Sequence, residues 1–269
     1  MKFVGAAGYK GRGPQEFVFI NTNGTNPAYR GLNVTESNTY SRVELYQSEG
    51  SVKLRKSDHT TFPSKHAIAN SLLMVSDSTA VMYINNQDDV EFYMHNRKSG
   101  SMRPISSYPK ELVAQNPTSE ACNSVFMNDL VFNPSTGKFA AVYSQLPMVR
   151  IFDNNGNPET TSLLKNWKEQ RFEINGNSVK TSSSCQYYLA SAANSNYICA
   201  LYLGKFPAEM EQMSMEDARL EIHVWNWAGE LVATYLPDSL VMKIAIADDN
   251  TIYATSPLDD MHIYSYKLK

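Results

Sequence analysis

Several features that often carry function are scarce in this sequence. It has only three cysteines, Cys122, Cys185 and Cys199, and no C-x-x-C spacing for a metal or redox site. No apolar run reaches the roughly 18 to 20 residues that a membrane-spanning helix needs, and the first eight residues, MKFVGAAG, are too short for a signal peptide. We therefore expect buried free thiols, no transmembrane segment and no export signal in the sequence as given.

Charge of one sign is not concentrated anywhere along the chain. The 24 basic and 27 acidic residues are scattered, and the formal net charge is -3. Proteins that bind nucleic acid through the phosphate backbone need a basic patch or stripe. We therefore expect no nucleic-acid partner.

Motifs for nucleophilic catalysis are also missing. No G-x-S-x-G elbow is present. The five histidines show no i, i+4 pair; they are His59, His66, His95, His223 and His262. Because His223 and His262 lie inside predicted strands, we interpret them as residues of a sheet face. The sequence therefore assigns no catalytic residue.

What the sequence does contain is a long series of short strands. Aromatic residues are frequent, with 16 Tyr and 11 Phe, and apolar residues recur with period two. Turn sequences such as 133–137 (NPSTG) and 153–157 (DNNGN) separate the strands, because Asn, Asp and Gly tolerate the positive φ of tight hairpins. Only 109–116 and 207–218 have a helical pattern. The pattern predicts an all-β chain.

The strands also repeat as a unit. Four copies of one pattern begin near residues 71, 126, 187 and 239. Such repeats are typical of a β-propeller made of four-stranded antiparallel blades. With the less regular segment 17–62, we predict a single propeller domain over residues 1–269, with either five or six blades and a first blade that is either complete or incomplete. Because the last copy ends after three strands, we expect residues 2–8 to supply its fourth strand.

Three segments resemble a known family. Residues 11–17, GRGPQEF, are similar to the GRGPGEF signature of the TolB-like six-bladed propeller proteins of bacteria, with Gln15 where the family has Gly. Residues 195–206 (SNYICALYLGKF) and 221–255 (from EIHVW to IYAT) resemble further segments of that family. The resemblance implies a propeller in the bacterial cell envelope, periplasmic or lipid-anchored, without an established reaction.

Within this propeller, the stretch GYKGRGPQEF would cross from the outer strand of one blade to the inner strand of the next. Its glycines permit close backbone approach, and Pro14 stiffens the path. Arg12 and Glu16 are then either an ion pair that holds a rigid turn or charges presented to a ligand at the channel mouth. Both interpretations stay open at this point.

Two other sets of residues are candidates for binding. Tyr187 and Tyr188, at the start of an inner strand, are candidates for stacking on a sugar ring with Trp225 and Trp227, or else for packing between blades. Asn70, Asn128 and Asp129, at the starts of inner strands, are candidate calcium ligands, or else ordinary turn residues; the three are the only metal candidates.

Together these patterns predict a non-catalytic binding or assembly module of the cell envelope, without a cofactor. Its partner would be a protein, a peptide or a carbohydrate held by the loops around the channel. The alternative is a metal-dependent hydrolase or lyase with calcium in the channel. Fold alone does not choose between these two hypotheses.

Overall fold

In the computed structural model, five antiparallel sheets follow one another along the chain as the blades of a β-propeller. The structure describes residues 9–13, 16–18, 32–36, 39–61, 67–85, 88–113, 117–165, 172–180, 184–214 and 219–268. The predicted all-β class and propeller architecture are confirmed, in a five-bladed form. Among the described residues, no helix is long and apolar enough to cross a membrane.

The strands are numbered in chain order. Two short parallel strands, β1 (Tyr9–Lys10) and β2 (Glu16–Phe17), precede blade 1, which contains β3 (Leu32–Glu36), β4 (Thr39–Ser48) and β5 (Ser51–Thr61). Blade 2 contains β6 (Ala67–Met74), β7 (Thr79–Asn85), β8 (Val90–Asn96) and β9 (Met102–Ser107). Blade 3 contains β10 (Asn128–Phe132), β11 (Phe139–Tyr143), β12 (Met148–Phe152) and β13 (Pro158–Leu163).

The remaining strands follow the same order. A hairpin of β14 (Glu173–Asn175) and β15 (Ser178–Lys180) precedes blade 4, which contains β16 (Gln186–Ala193), β17 (Tyr197–Lys205), β18 (Glu221–Asn226) and β19 (Leu231–Tyr235). Blade 5 contains β20 (Lys243–Ile246), β21 (Thr251–Ser256) and β22 (Asp259–Lys267). The helices are a 3-10 turn (Lys110–Leu112), α1 (Ser119–Val125) and α2 (Pro207–Glu211).

Both faces of the middle blades are buried against their neighbours, which explains the apolar runs in their sequences. In β17, Ile198 and Ala200 pack toward blade 3, whereas Cys199 and Leu201 pack toward blade 5. Successive side chains of a strand point to opposite faces, so a strand between two blades is apolar at every position. All three cysteines are free and buried, as predicted.

Blades 1 and 5 each contain three strands in the part of the chain that the structure describes. Blade 1 packs on blade 2 through Tyr40, Leu72 and Met82. The prediction that residues 2–8 complete blade 5 concerns residues outside the described ranges.

The two ends of the propeller differ in their loops. Successive strands of a blade run in opposite directions. The hairpins that join the first strand to the second and the third to the fourth therefore lie at one end of the propeller. The hairpins that join the second strand to the third lie at the other end, together with the crossings between blades. The first end, which we call the tight-turn end, has short turns such as 153–157, where Asp153 Oδ1 accepts hydrogen bonds from the backbone N–H groups of Asn155 and Asn157 at 2.9 and 2.8 Å.

The second end, which we call the long-loop end, carries the helices and the extra hairpin. The crossing from β9 to β10 contains the 3-10 turn and α1, the crossing from β13 to β16 contains β14 and β15, and the loop from β17 to β18 contains α2. Insertions concentrate where a scaffold carries binding residues, because loops vary without disturbing the core. The long-loop end is therefore the part of the fold in which we place the candidate site.

Candidate functional site

The GRGPQEF segment forms a compact turn around the carboxylate of Glu16. Glu16 Oε2 accepts a hydrogen bond from the backbone N–H of Gly13 at 2.7 Å, and Glu16 N donates to Gly13 O at 3.0 Å. Gly11 N donates to Phe17 O at 3.0 Å and closes the segment. Glu16 is thus a structural residue of the turn.

The glycine at position 11 is explained by the same carboxylate. A Cβ atom on Gly11 would overlap Glu16 Oε2, and one on Gly13 would lie 3.0 Å from that oxygen. Only glycine lets the backbone approach the carboxylate this closely. The spacing of glycines and Glu16 in the motif therefore encodes the turn itself.

Arg12 lies at the tip of this turn and is exposed. In the described part of the chain, no ion pair joins Arg12 to Glu16, and Arg12 makes no hydrogen bond there. The turn that positions it is fixed to blade 1, since Lys56 Nζ donates to Glu16 O and to Glu36 Oε2, each at 2.8 Å. Arg12 is therefore a cation held outward on a rigid support.

Tyr187 and Tyr188 lie between blades 3 and 4. Both are buried, with exposed fractions of 6% and 2%, and they pack with Val149, Ile198 and Trp225. Their surroundings match the interpretation as packing between blades. A sugar ring would have to displace part of this packing to stack on them, and their role in ligand binding stays a prediction.

Next to these tyrosines lies a histidine whose two ring nitrogens both have partners. His223 Nδ1 is 3.2 Å from the Tyr188 hydroxyl, and Nε2 is 3.1 Å from Glu221 Oε2. The ring stacks on Tyr202 with centroids 4.3 Å apart. A carboxylate only accepts, so Nε2 carries the proton and Nδ1 accepts from Tyr188. Burial lowers the pKa of His223, and Glu221 opposes this shift.

The three candidate metal ligands are not brought together as a set. Asn128 and Asp129 are successive residues of β10, so their side chains point to opposite faces. Asn128 is buried, and its Nδ2 donates to Phe126 O at 2.9 Å. Asn70 lies in β6, and its side chain is outside the described part of the structure. Among the described residues, no three His, Cys, Asp or Glu side chains lie close enough to hold a metal. The calcium site stays a prediction.

Asp129 lies near the start of the inner strand β10, and this position is at the long-loop end of the propeller. Burial raises the pKa of Asp129 to about 6, while the charge of Lys243 acts in the opposite direction. Asp129 and Lys243 lie on β10 and β20, the inner strands of blades 3 and 5.

A second charged group is fully buried between blades 2 and 3, and the sequence did not point to it. Glu91, on β8, accepts hydrogen bonds from the Tyr143 hydroxyl, from Arg150 Nη1 and, at 3.4 Å, from the Ser106 hydroxyl. Glu91 is 0% exposed and Arg150 is 6% exposed. Burial raises the pKa of Glu91 to about 7 against the opposing effects of Arg150 and Tyr143. The only sequence signal is one charged residue inside each of two apolar strands.

Comparison with known proteins adds information about the fold. No protein-family model matches the sequence, and no curated protein matches it. A solved structure of Kluyveromyces lactis Hsv2 aligns with a TM-score of 0.47 and 9% identity, over 90% of this chain and 57% of that one. A member of the DUF4221 family from Bacteroides vulgatus aligns with a TM-score of 0.51 and 11% identity, over 91% of this chain and 75% of that one. The TolB-like family stays a prediction. The chain is similar in fold to the DUF4221 protein, and at this identity the similarity concerns the fold alone.

Proposed function

We propose that this protein is a non-catalytic binding or assembly module that uses the long-loop end of its propeller. The observation that carries the proposal is the difference between the two ends. Three of the insertions between strands carry helices or an extra hairpin, and all three lie at the long-loop end. A propeller holds such loops on a rigid support, which is the arrangement that binding surfaces use.

Arg12 is a separate candidate contact, on the turn that is attached to blade 1. Its guanidinium is exposed on a turn that Glu16 and Lys56 hold in place. A preorganised arginine loses little freedom when it binds a carboxylate, and it does so with two parallel hydrogen bonds. Arg12 therefore suits a protein or peptide partner with an acidic group, or a carbohydrate that carries a carboxylate.

A test compares the two ends with matched charge reversals. Glu111→Lys changes an exposed residue of the 3-10 turn at the long-loop end, and Asp248→Lys changes an exposed residue in the 247–250 turn of the tight-turn end. Each purified variant, with the unchanged protein beside it, is used to capture partners from an extract of the native cells, and the amount of each captured species is measured. We expect a species that Glu111→Lys loses and Asp248→Lys retains. Equal capture by both variants would overturn the proposal.

The cell envelope is the compartment that we propose for this module, because the GRGPQEF segment and two further segments resemble envelope proteins. Fractionation of the native cells with an antibody against the protein tests this separately. Recovery with the periplasmic or membrane fraction is the expected result. Recovery with the cytoplasmic marker proteins would contradict the localisation and leave the binding role standing.

A further inference from the structure

The tripeptide Asn-Gly-Asn occurs in two hairpins, one at each end of the propeller. Residues 155–157 lie in the turn between β12 and β13 at the tight-turn end, and residues 175–177 lie at the junction of β14 and β15 at the long-loop end. Asn155 and Asn175 are both exposed. The third Asn-Gly pair of the sequence, 23–24, is outside the described ranges. Because the two tripeptides are identical, the structure around them determines how their asparagines differ in reactivity.

An asparagine that precedes glycine loses its side-chain amide without an enzyme, because glycine has no Cβ to hinder attack by its own backbone nitrogen. In this reaction the glycine nitrogen gives its proton to solvent and attacks Cγ of the asparagine. A C–N bond forms, the Cγ–Nδ2 bond breaks, and the amide nitrogen takes up a proton and leaves as ammonia. Water then opens the succinimide ring at either carbonyl, which leaves an aspartyl or an isoaspartyl residue. The reaction therefore requires an unbonded glycine nitrogen and a backbone that is able to rotate.

At the tight-turn end, the glycine nitrogen is already bonded. Gly156 N donates to Asp153 O at 3.0 Å, and Asn155 N donates to Asp153 Oδ1 at 2.9 Å. Arg103 Nη2 donates to Asn155 O at 2.7 Å. Gly156 is buried, and a Cβ atom on it would lie only 2.6 Å from Ile105 Cδ1. Attack on Asn155 would therefore break these hydrogen bonds and the packing of the turn on β9.

At the long-loop end, the turn is exposed. Asn175 pairs with Ser178 in the ladder, and Ser178 Oγ donates to Asn175 O at 3.0 Å. Gly176 N makes no hydrogen bond within the part of the chain that the structure describes. Apart from its chain neighbours, no described atom lies within 4 Å of the position that a Cβ of Gly176 would occupy. Rotation of this turn into the geometry of attack therefore disrupts little, as is usual for exposed loop tips.

We propose that Asn175 is a site of spontaneous deamidation, which introduces a carboxylate into the β14–β15 hairpin as the protein ages. The new charge lies on the same strand face as Glu173, which pairs with Lys180 at 3.0 Å. An isoaspartyl product also adds a methylene to the backbone, so the pairing of position 175 with Ser178 is lost. The modified hairpin belongs to the long-loop end, but this inference does not depend on the proposed binding role.

The test is incubation of the native protein in warm, mildly alkaline buffer, followed by peptide mapping with mass spectrometry. A second sample is incubated in denaturant, and each native rate is divided by the denatured rate at the same position, which removes the effect of the flanking sequence. We expect this ratio to be roughly tenfold or more higher at Asn175 than at Asn155. Methylation by an isoaspartate methyltransferase identifies the isoaspartyl product. Equal ratios, a higher ratio at Asn155, or no native reaction at Asn175 while the denatured sample reacts would overturn the proposal.

A variant tests why the two positions differ. Asp153→Ala removes the carboxylate that accepts from the backbone of the 153–157 turn. It should increase the native rate at Asn155 and leave the rate at Asn175 unchanged, and thermal unfolding verifies that the variant is folded. An unchanged rate at Asn155 in the folded variant would contradict protection by the turn. The capture experiment that compares the two ends is separate from these measurements, so the binding role and the deamidation site stand or fall independently.

Discussion

The buried pair of Glu91 and Arg150 gives the sharpest prediction about stability. Replacing Arg150 by Met removes the cation but keeps most of the side-chain volume. Glu91 then stays fully buried with only the hydroxyls of Tyr143 and Ser106 as partners. Breaking a buried ion pair from one side costs about 3–5 kcal/mol. We expect the low end, about 3 kcal/mol, because Glu91 already has a pKa raised to about 7 and takes up a proton in the variant.

The assay is thermal unfolding followed by near-ultraviolet circular dichroism. In a chain of this size, about 3 kcal/mol corresponds to a decrease in Tm on the order of 10 °C. The second variant is Glu91→Gln with Arg150→Met, in which the amide oxygen still accepts from Tyr143 and no charge is buried. It should be more stable than Arg150→Met alone, because the cost of the single change is mainly the unpaired carboxylate.

The pH dependence follows from the same carboxylate. A group whose pKa is higher in the folded protein loses its contribution to stability as the pH rises through that folded value. Without Arg150, the effect of burial on Glu91 is less opposed. Arg150→Met should therefore lose further stability as the pH increases above 7. The exposed Arg55, paired with Glu44, provides the control, since Arg55→Met breaks a surface pair and should change Tm far less. Equal effects of the two arginine variants, or a double variant that is no more stable than Arg150→Met alone, would refute the reasoning.

Three further predictions concern other parts of the molecule. Gly11→Ala should displace the Glu16 carboxylate and cost about 1 kcal/mol, and it should add little to Glu16→Ala, since both changes remove the bond to Gly13; additive losses of Tm would contradict this. Because burial lowers the pKa of His223 below 6.5, the wild type should lose stability relative to His223→Gln as the pH falls from 7.5 to 5.5, and a constant difference in Tm would exclude that role. Burial raises the pKa of Cys122 to about 11 and of Cys199 to about 12, so a thiol reagent should label neither residue in the native protein and both after denaturation; rapid native labelling would show that the interfaces between blades are open.

Much of the fold was predictable because the first three strands of most blades are apolar or alternate with period two. The apolar, period-two pattern includes 197–203 (YICALYL) and 148–153 (MVRIFD), and these segments form β17 and β12. The outer strands were not predicted. β13, with the sequence PETTSL, packs on one side only and is largely polar, so it has no apolar period to detect.

The helices show that local sequence signals do not predict a helix correctly where tertiary packing determines whether it forms and where it ends. The segment 207–218 was predicted as helical, and Pro207 does begin α2, but the helix ends at Glu211. α1 was not predicted, since it has only seven residues and is stabilised by burial of Ala121 and Cys122 rather than by its own periodicity. Its cap, Thr118, accepts from the backbone N–H of Ala121 and was the available signal.

The site was predictable where it depends on local chain geometry. The motif around Arg12 and Glu16 forms a turn, but no ion pair joins the two residues in the described part of the chain, and Glu16 accepts from the backbone N–H of Gly13 instead. The contact between Glu91 and Arg150 joins residues 59 positions apart, on different blades. Periodicity alone does not contain such contacts.

The most direct test of the central claim, that the long-loop end binds a partner, is photo-cross-linking in the native cells. A photoreactive amino acid is placed at position 111, in the 3-10 turn of the long-loop end, in one strain and at position 98, in the tight-turn end, in another, and both proteins are illuminated at equal expression. The account predicts a discrete cross-linked species from position 111 that is absent from position 98. The same species from both positions, or from position 98 alone, would contradict it.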